Sequence, residues 1–152
     1  MQKIIIADTS CLILLNKIGE LEILSKLFKE ITITSLIKKE FNEPLPKWIK
    51  VINPKNLKRQ KKLELIIDSG EASGLCLALE FEKSLLILDD LKARKLALSL
   101  GLRVTGTLGI LVEAKQSKVI PEIKFILNEI KKTNFRLSEE IEFKILKLCG
   151  EK

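Results

Sequence analysis

Five acidic residues of this sequence lie where predicted strands and helices begin or end, and carboxylates at such places can carry chemistry. Asp8 follows the apolar segment "KIIIA", and the pair Asp89–Asp90 follows "SLLIL". Strands that are apolar at consecutive positions are typical of parallel sheets, whose carboxyl ends share one edge. We therefore expect these carboxylates to lie close together. Glu40 lies late in the helix after "ITIT", and Glu71 lies on the first turn of an alanine-rich helix.

A cluster of carboxylates indicates metal chemistry. Packed like charges raise one another's pKa and cost stability unless a cation neutralises them. Oxygen ligands are what hard cations such as Mg²⁺ or Mn²⁺ select. The sequence contains no histidine, so Ser-His-Asp and Cys-His mechanisms and a histidine general base are excluded. An enzyme built from this sequence must use carboxylates, lysines or a metal.

Each acid also has a purely structural explanation. Asp8 or Thr9 could cap the helix after the first strand, and Asp89 or Asp90 could cap the helix after the second apolar strand. A carboxylate such as Glu71 near a helix N-terminus gains about 0.3–1 kcal/mol from the helix dipole. Glu40 could be one more exposed charge among lysines. The functional interpretation is favoured because both apolar strands end on acids.

Length and composition fit a single domain over residues 1–152, since 46% of the residues are apolar and 31% are charged. No apolar stretch is long enough to span a bilayer. The start, Met1-Gln2-Lys3, has no secretory segment, so a cytoplasmic location is expected. Three widely spaced cysteines, Cys11, Cys76 and Cys149, indicate reduced thiols and no structural zinc site.

The net charge of +7 suits a polyanionic partner. Positive charge is densest in "KNLKRQKK", residues 55–62, which contains Lys55, Lys58, Arg59, Lys61 and Lys62. This run is either a solvated helix face or a surface that contacts phosphates. The run itself does not decide between the two.

Strands and helices alternate along the chain. Strands are predicted at "KIIIAD", "ITIT", "WIKVIN", "SLLILDD" and "LRVTG". Helices are predicted at "SCLILLNKIG" capped by Thr9 or Ser10, "ELEILSKLFKE", "TSLIKKEF", "NLKRQKKLELII", "SGEASGLCLALEFEK" after a turn at Ser69-Gly70, "LKARKLALSLG", "TLGILVEAKQS", a segment opened by Pro121, and "SEEIEFKILKLCG" capped by Ser138. This order predicts a three-layer α/β/α sandwich with a central, mainly parallel sheet.

Four blocks of the sequence resemble the successive blocks of a PIN domain. They are "IIIADTSCLILLNKIG", "TITSLIKKEF", "GEASGLCLALE" and "LLILDDLKARKLALSLGLRVTGTLGIL". The likeness is closest to small prokaryotic PIN proteins related to VapC-type toxins. It covers a motif-bearing core of about residues 3–117 and leaves a helical C-terminal part, 121–149. It implies a PIN-like fold and a metal-dependent ribonuclease, the toxin of a toxin–antitoxin pair.

The resemblance assigns roles to individual residues. Asp8, Glu40 and Glu71 match the first three family acids, and Asp89 or Asp90 matches the fourth, with Asp90 taken as catalytic. These five residues would bind one or two Mg²⁺ or Mn²⁺ ions for phosphodiester hydrolysis. Thr9, Ser10 and Thr107 would support the ligands. RNA phosphates would be held by Lys55, Lys58, Arg59, Lys61, Lys62 and Arg94.

Two other functions stay open at this point. The same fold could be a non-catalytic module that binds RNA, a nucleotide or an antitoxin protein. A receiver-type phosphoacceptor fits poorly because a late strand-end lysine is missing. We also expect a homodimer, because "ELEILSKLF" and "LALSLGL" contain more apolar residues than one buried stripe requires.

Overall fold

The computed structural model describes residues 3–152. Met1 and Gln2, two of the three residues from which a cytoplasmic location is predicted, lie outside the described residues. Five strands are formed by Lys3–Ala7 (β1), Ile31–Ile33 (β2), Ile49–Val51 (β3), Lys83–Ile87 (β4) and Arg103–Thr105 (β5). Helices are formed by Thr9–Lys17 (α1), Ile23–Phe28 (α2), Ser35–Phe41 (α3), Leu57–Leu63 (α4), Ser69–Leu79 (α5), Leu91–Ser99 (α6), Thr107–Gln116 (α7), Lys124–Lys131 (α8) and Glu139–Leu148 (α9).

The five strands form one sheet in the order β3-β2-β1-β4-β5, and every neighbouring pair is parallel. β1 lies at the centre and pairs with β4 over its full length, with Lys3 opposite Lys83 and Ala7 opposite Ile87. All strands therefore end at the same edge, which we call the carboxyl edge. The predicted α/β/α sandwich with a parallel sheet is confirmed.

The apolar run of β1 serves two cores because alternate residues of a strand face opposite sides of the sheet. Ile5 and Ala7 pack in the core cluster that includes α1, α2, α3, α7, α8 and α9. Ile4 and Ile6 pack in the other cluster, with residues of α4, α5 and α6. Burial on both faces explains why consecutive positions of this strand are apolar.

Three helix predictions are corrected by the structure. The predicted turn at Ser69-Gly70 is wrong, because α5 already begins at Ser69, where the Asp68 side chain caps it. The basic helix ends at Leu63 rather than continuing through "ELII", and the chain then turns toward Asp68.

The helix that we predicted to open at Pro121 begins only at Lys124. The Glu151 carboxylate accepts the backbone N–H groups of Ile123 and Lys124 at 2.8 and 3.1 Å. A side chain from the end of the chain thus satisfies N–H groups that the first turn of a helix leaves free.

Within residues 3–152, no helix combines the length and apolar composition that crossing a bilayer would require.

Candidate active site

The central strands bring Asp8 and Asp89 to the carboxyl edge. The backbone N–H of Asp8 donates to the Ile87 carbonyl at 2.9 Å, which extends the β1–β4 ladder by one residue. Asp8 takes the N-cap position of α1, so the prediction that Thr9 or Ser10 caps this helix is wrong. The Asp8 side chain makes no capping hydrogen bond. Its carboxylate is therefore available to the space beyond the strand end.

Asp89 and Asp90, which follow β4, contact different helices. Thr107 donates its backbone N–H to Asp89 Oδ1 at 2.8 Å and its hydroxyl to Asp89 Oδ2 at 2.6 Å. Asp90 caps α6, since its Oδ2 accepts the Ala93 N–H at 3.0 Å. Asp89 is thus fixed by the first residue of α7, and the role of Thr107 in supporting a metal ligand stays a prediction.

The start of α5 places two acids at the same edge. Asp68 Oδ1 accepts the Glu71 N–H at 2.9 Å, and Glu71 is one turn further along the helix. Asp68 was missed from the sequence, because the helix was expected to begin after a turn. An Asp followed three residues later by Glu, before an apolar helical run, is a capping-box pattern that marks such a start.

Glu40 reaches the same place from α3. The Thr9 hydroxyl donates to Glu40 Oε1 at 2.6 Å and so orients this acid. Gly70 of α5 lies directly against the carboxylate, and a Cβ built on Gly70 would overlap Oε1. Glycine at position 70 therefore allows the Glu40 carboxylate to lie against the first turn of α5.

These side chains share one cleft of about 620 Å³ at the carboxyl edge. It is lined by Asp8, Thr9, Ser10, Ile13, Glu40, Asp68, Glu71, Asp89, Asp90 and Phe135. The four aspartates of the lining are all the aspartates in the chain. No Lys or Arg is part of the lining. The ion pairs seen among residues 3–152 all lie between residues 115 and 151 and involve none of the cleft acids.

Burial and mutual repulsion disturb the titration of the cleft. Burial raises the pKa of Asp8 from 3.8 to about 7, and the charges of neighbouring cleft acids add to this shift. Burial likewise raises the pKa of Glu71 from 4.5 to about 7, with further contributions from Asp68 and other cleft acids. Cys11 is fully buried beside Thr107, and burial raises the pKa of its thiol to about 12, which excludes a thiolate nucleophile there.

The donor set of the cleft fits a hard divalent cation by its chemistry. All the ionisable side chains of the lining are carboxylates, and such oxygens are the preferred ligands of Mg²⁺ and Mn²⁺. Several of these oxygens already accept a hydrogen bond from Thr9, Thr107 or a helix N-terminus, and hydrogen bonds of this kind orient the ligands of a metal ion. Over the described part of the chain, however, no three acids form a compact ligand group. Cation binding would therefore have to draw some of them closer together.

The structure does not place the predicted phosphate-binding residues in the cleft. Lys58, Arg59, Lys61 and Lys62, which we call the basic cluster, lie on α4, beside α5. The backbone N–H of Lys55 donates to the Glu80 carboxylate, just beyond the C-terminus of α5. The cleft acids lie at the N-terminus of α5, and the helix is about 15 Å long at 1.5 Å per residue. Lys55 and Arg59 line a second cavity near that end.

Arg94 of α6 is nearer to the acids. Its Nη1 donates to the Leu88 carbonyl at 3.2 Å. A Cβ built on Gly106 would lie 2.5 Å from this nitrogen and 2.9 Å from Asp89 Oδ1. Its guanidinium therefore flanks Asp89 from outside the cleft lining.

Comparison with known proteins identifies a family for nearly the whole chain. A family model described as a PIN domain matches residues 4–151. The match runs beyond the motif-bearing core of about 3–117 and includes the C-terminal helices. No curated protein matches the chain.

Proposed function

We propose that this chain, which belongs to the PIN-domain family, is a ribonuclease that uses Mg²⁺ or Mn²⁺ to hydrolyse RNA phosphodiester bonds. The PIN fold is a nuclease fold, and its members are generally metal-dependent nucleases. The observation that supports the proposal in this chain is the cleft itself. Six carboxylates from several elements line it, and the lining contains no lysine or arginine. Two of the carboxylates, those of Asp8 and Glu71, have a pKa of about 7.

The cation would be held by Asp8, Glu40, Glu71, Asp89 and Asp90, with Asp68 as a further candidate. We take Asp8, Glu40, Glu71 and Asp90 as the catalytic acids. A divalent cation supplies charge stabilisation to the phosphodiester oxygens during hydrolysis. Thr107 and Thr9 keep Asp89 and Glu40 aimed at the cleft, and Ser10 lies at its border.

The N-termini of α1, α5, α6 and α7 all meet the acids of the cleft. The positive ends of these helix dipoles partly offset the repulsion among the carboxylates.

RNA must approach this acidic edge although the carboxylates repel its phosphates. The net charge of +7 provides attraction at longer range. We propose that Lys55, the basic cluster and Arg94 contact phosphates outside the cleft. Lys55 and three members of the cluster are exposed, and no member is among the ion pairs of residues 3–152. Lys55 lies near the end of α5 that is remote from the acids, which favours contacts to flanking nucleotides.

A finer proposal is that the protein is a VapC-like toxin with a cognate antitoxin protein. Its support is the order and spacing of the four sequence blocks. Expression of the chain in growing cells, with and without the product of the adjacent gene, tests this proposal. Growth arrest that the second product relieves is the expected result, and unaffected growth would contradict it.

Cleavage of a mixed-sequence RNA tests the main proposal. We expect cleavage with Mg²⁺ or Mn²⁺, none with EDTA, and none by Asp8→Asn. The control is Glu122→Gln, which removes an exposed acid outside the cleft lining and should cleave normally.

The alternative is a non-catalytic PIN-fold module. The lack of a compact group of three acids within residues 3–152 favours this alternative. RNA binding by the wild-type protein without any cation-dependent cleavage would establish it and reject the ribonuclease.

A further inference from the structure

One aromatic side chain, Phe135, lies in the cleft among the acids. The cleft lining contains no other aromatic residue, and the whole chain has six Phe, one Trp and no Tyr. Phe135 comes from the segment between α8 and α9, outside the sequence blocks that contain the acids. It is half-buried, with part of its surface packed against the core and part facing the cleft.

The backbone around Phe135 is fixed by local hydrogen bonds. The Thr133 hydroxyl donates to the Ile130 carbonyl at 2.6 Å and accepts the Phe135 N–H at 3.1 Å. Leu137 packs against the core, and Ser138 caps α9 through the N–H of Ile141. The segment is therefore attached to the protein on both sides of Phe135, and the ring is held in place before any ligand arrives.

The rest of the lining decides what this ring can bind. The cleft walls contain six carboxylates and no cationic side chain, so protein charges do not hold a phosphate inside it. Ile13 of α1, with 45% of its surface exposed, adds an apolar patch to the same lining. Nucleotide bases have apolar faces that stack on aromatic rings, and one such contact is worth about 1–3 kcal/mol.

We infer that Phe135 is the surface on which one base of the bound RNA stacks, beside the phosphodiester presented to the acids. This inference rests on the proposed ribonuclease function and adds a substrate-positioning residue to it. Base stacking is tolerant of sequence because every base has a π-face. Phe135 would therefore fix the register of the chain in the cleft and would not select one base.

The test combines a protein variant with the removal of a base from the RNA. Binding is measured in the Asp8→Asn background, which prevents cleavage, on short RNAs that carry one abasic site at each position in turn. Phe135→Leu keeps an apolar side chain of similar size for the core, and Phe135→Trp keeps an aromatic face. The matched control is Phe143→Leu, because Phe143 on α9 is 68% exposed and lies outside the cleft lining.

We expect one position at which loss of the base raises the Kd of the Phe135 protein roughly fivefold or more. At that position Phe135→Leu should lose nothing further, because both changes remove the same contact. Phe135→Trp and Phe143→Leu should bind like the parent. A 2-aminopurine placed at that position should be quenched on binding the parent and quenched less by Phe135→Leu.

The opposite result is that Phe135→Leu and base removal raise the Kd independently of each other at every position of the RNA. It would overturn the inference and leave Phe135 as a core residue or as a contact for a partner protein. Coupling at one position together with no cleavage by the wild-type protein would uphold the stacking contact and reject the nuclease. Unfolding temperatures of each variant separate a binding defect from a folding defect.

Discussion

Replacement of Asp8 by Asn removes one negative charge from the centre of the acid cluster at nearly constant shape. Asp8 is 5% exposed at the end of the central strand, and its side chain caps no helix. The change should therefore act mainly through electrostatics. We expect the metal-free variant to be more stable than the wild-type protein at pH 8, although the variant has lost a proposed catalytic residue.

The size of this effect follows from the pKa of Asp8. Its value rises from 3.8 to about 7 on folding, a shift worth about 4 kcal/mol at 1.36 kcal/mol per pH unit. Because the native state holds a proton that the unfolded chain releases, the stability of the wild-type protein falls as the pH rises from about 4 to about 7. An asparagine does not titrate and avoids this loss.

The gain from Asp8→Asn should thus be largest at pH 8 and shrink toward zero near pH 4. We expect about 1–4 kcal/mol at pH 8, the lower value applying if the new amide lacks hydrogen-bond partners.

Denaturant unfolding in EDTA at pH 5, 6, 7 and 8 measures the effect, with Glu122→Gln as the control for loss of an exposed acid. Calorimetric titration with Mn²⁺ then measures the proposed ligand role. At 100 times its Kd, the cation should stabilise the wild-type protein by about 2.7 kcal/mol and the variant by clearly less. A stability difference that does not change between pH 5 and pH 8 would refute the electrostatic reasoning. An unchanged Mn²⁺ affinity would remove Asp8 from the cation site.

Three further outcomes are expected. Gly70→Ala should push the Glu40 carboxylate away from α5 and reduce cleavage more than tenfold. Gly74→Ala in the same helix should not reduce cleavage, because a Cβ there would meet only ordinary contacts at 3.7 Å. Equal activity of the two variants would contradict this prediction. Replacing the four residues of the basic cluster by Ala should weaken the dependence of RNA affinity on salt concentration. If the slope of log affinity against log salt between about 50 and 300 mM is unchanged, the cluster is only a solvated helix face. Light scattering at micromolar concentration should give the mass of a dimer that Leu98→Lys dissociates, since Leu98 is 59% exposed; a monomer mass for the wild-type protein would reject the dimer.

The fold could be predicted from the sequence because its signals are local and agree with one another. "KIIIA" and "SLLIL" are apolar at nearly every position, which is required of strands covered on both faces. In the structure these segments are the adjacent central strands β1 and β4. The alternation with helices then left few topologies to consider. Shared strand ends were enough to place Asp8 beside Asp89 and Asp90.

Other features depend on contacts between residues distant in sequence. Glu40 and Thr9 are 31 residues apart and meet only because α3 packs against α1. Asp68 was hidden because the apolar residues before it suggested a longer helix. Leu65 in that stretch is 87% exposed, so apolar character alone misplaced the helix end.

The predicted dimer surfaces show the same limit. In "ELEILSKLF", Ile23 and Leu24 are buried, while Leu27 and Phe28 pack against the core, so this stretch offers little apolar surface to a partner. The excess of apolar residues there serves the core of the monomer. Leu98 and Leu100 of "LALSLGL" are exposed, so the dimer prediction now depends on that stretch.

The acids of the cleft differ in the contacts that offset their charge. Asp68 and Asp90 each accept an N–H at the start of a helix, and Asp89 accepts the N–H of Thr107. Such contacts stabilise a carboxylate through the positive end of the helix dipole. Asp8 makes no capping hydrogen bond, and it is the most buried acid of the cleft. Burial raises its pKa to about 7 even though the Thr9 backbone N–H acts in the opposite direction. A bound cation should therefore strongly stabilise the ionised form of Asp8.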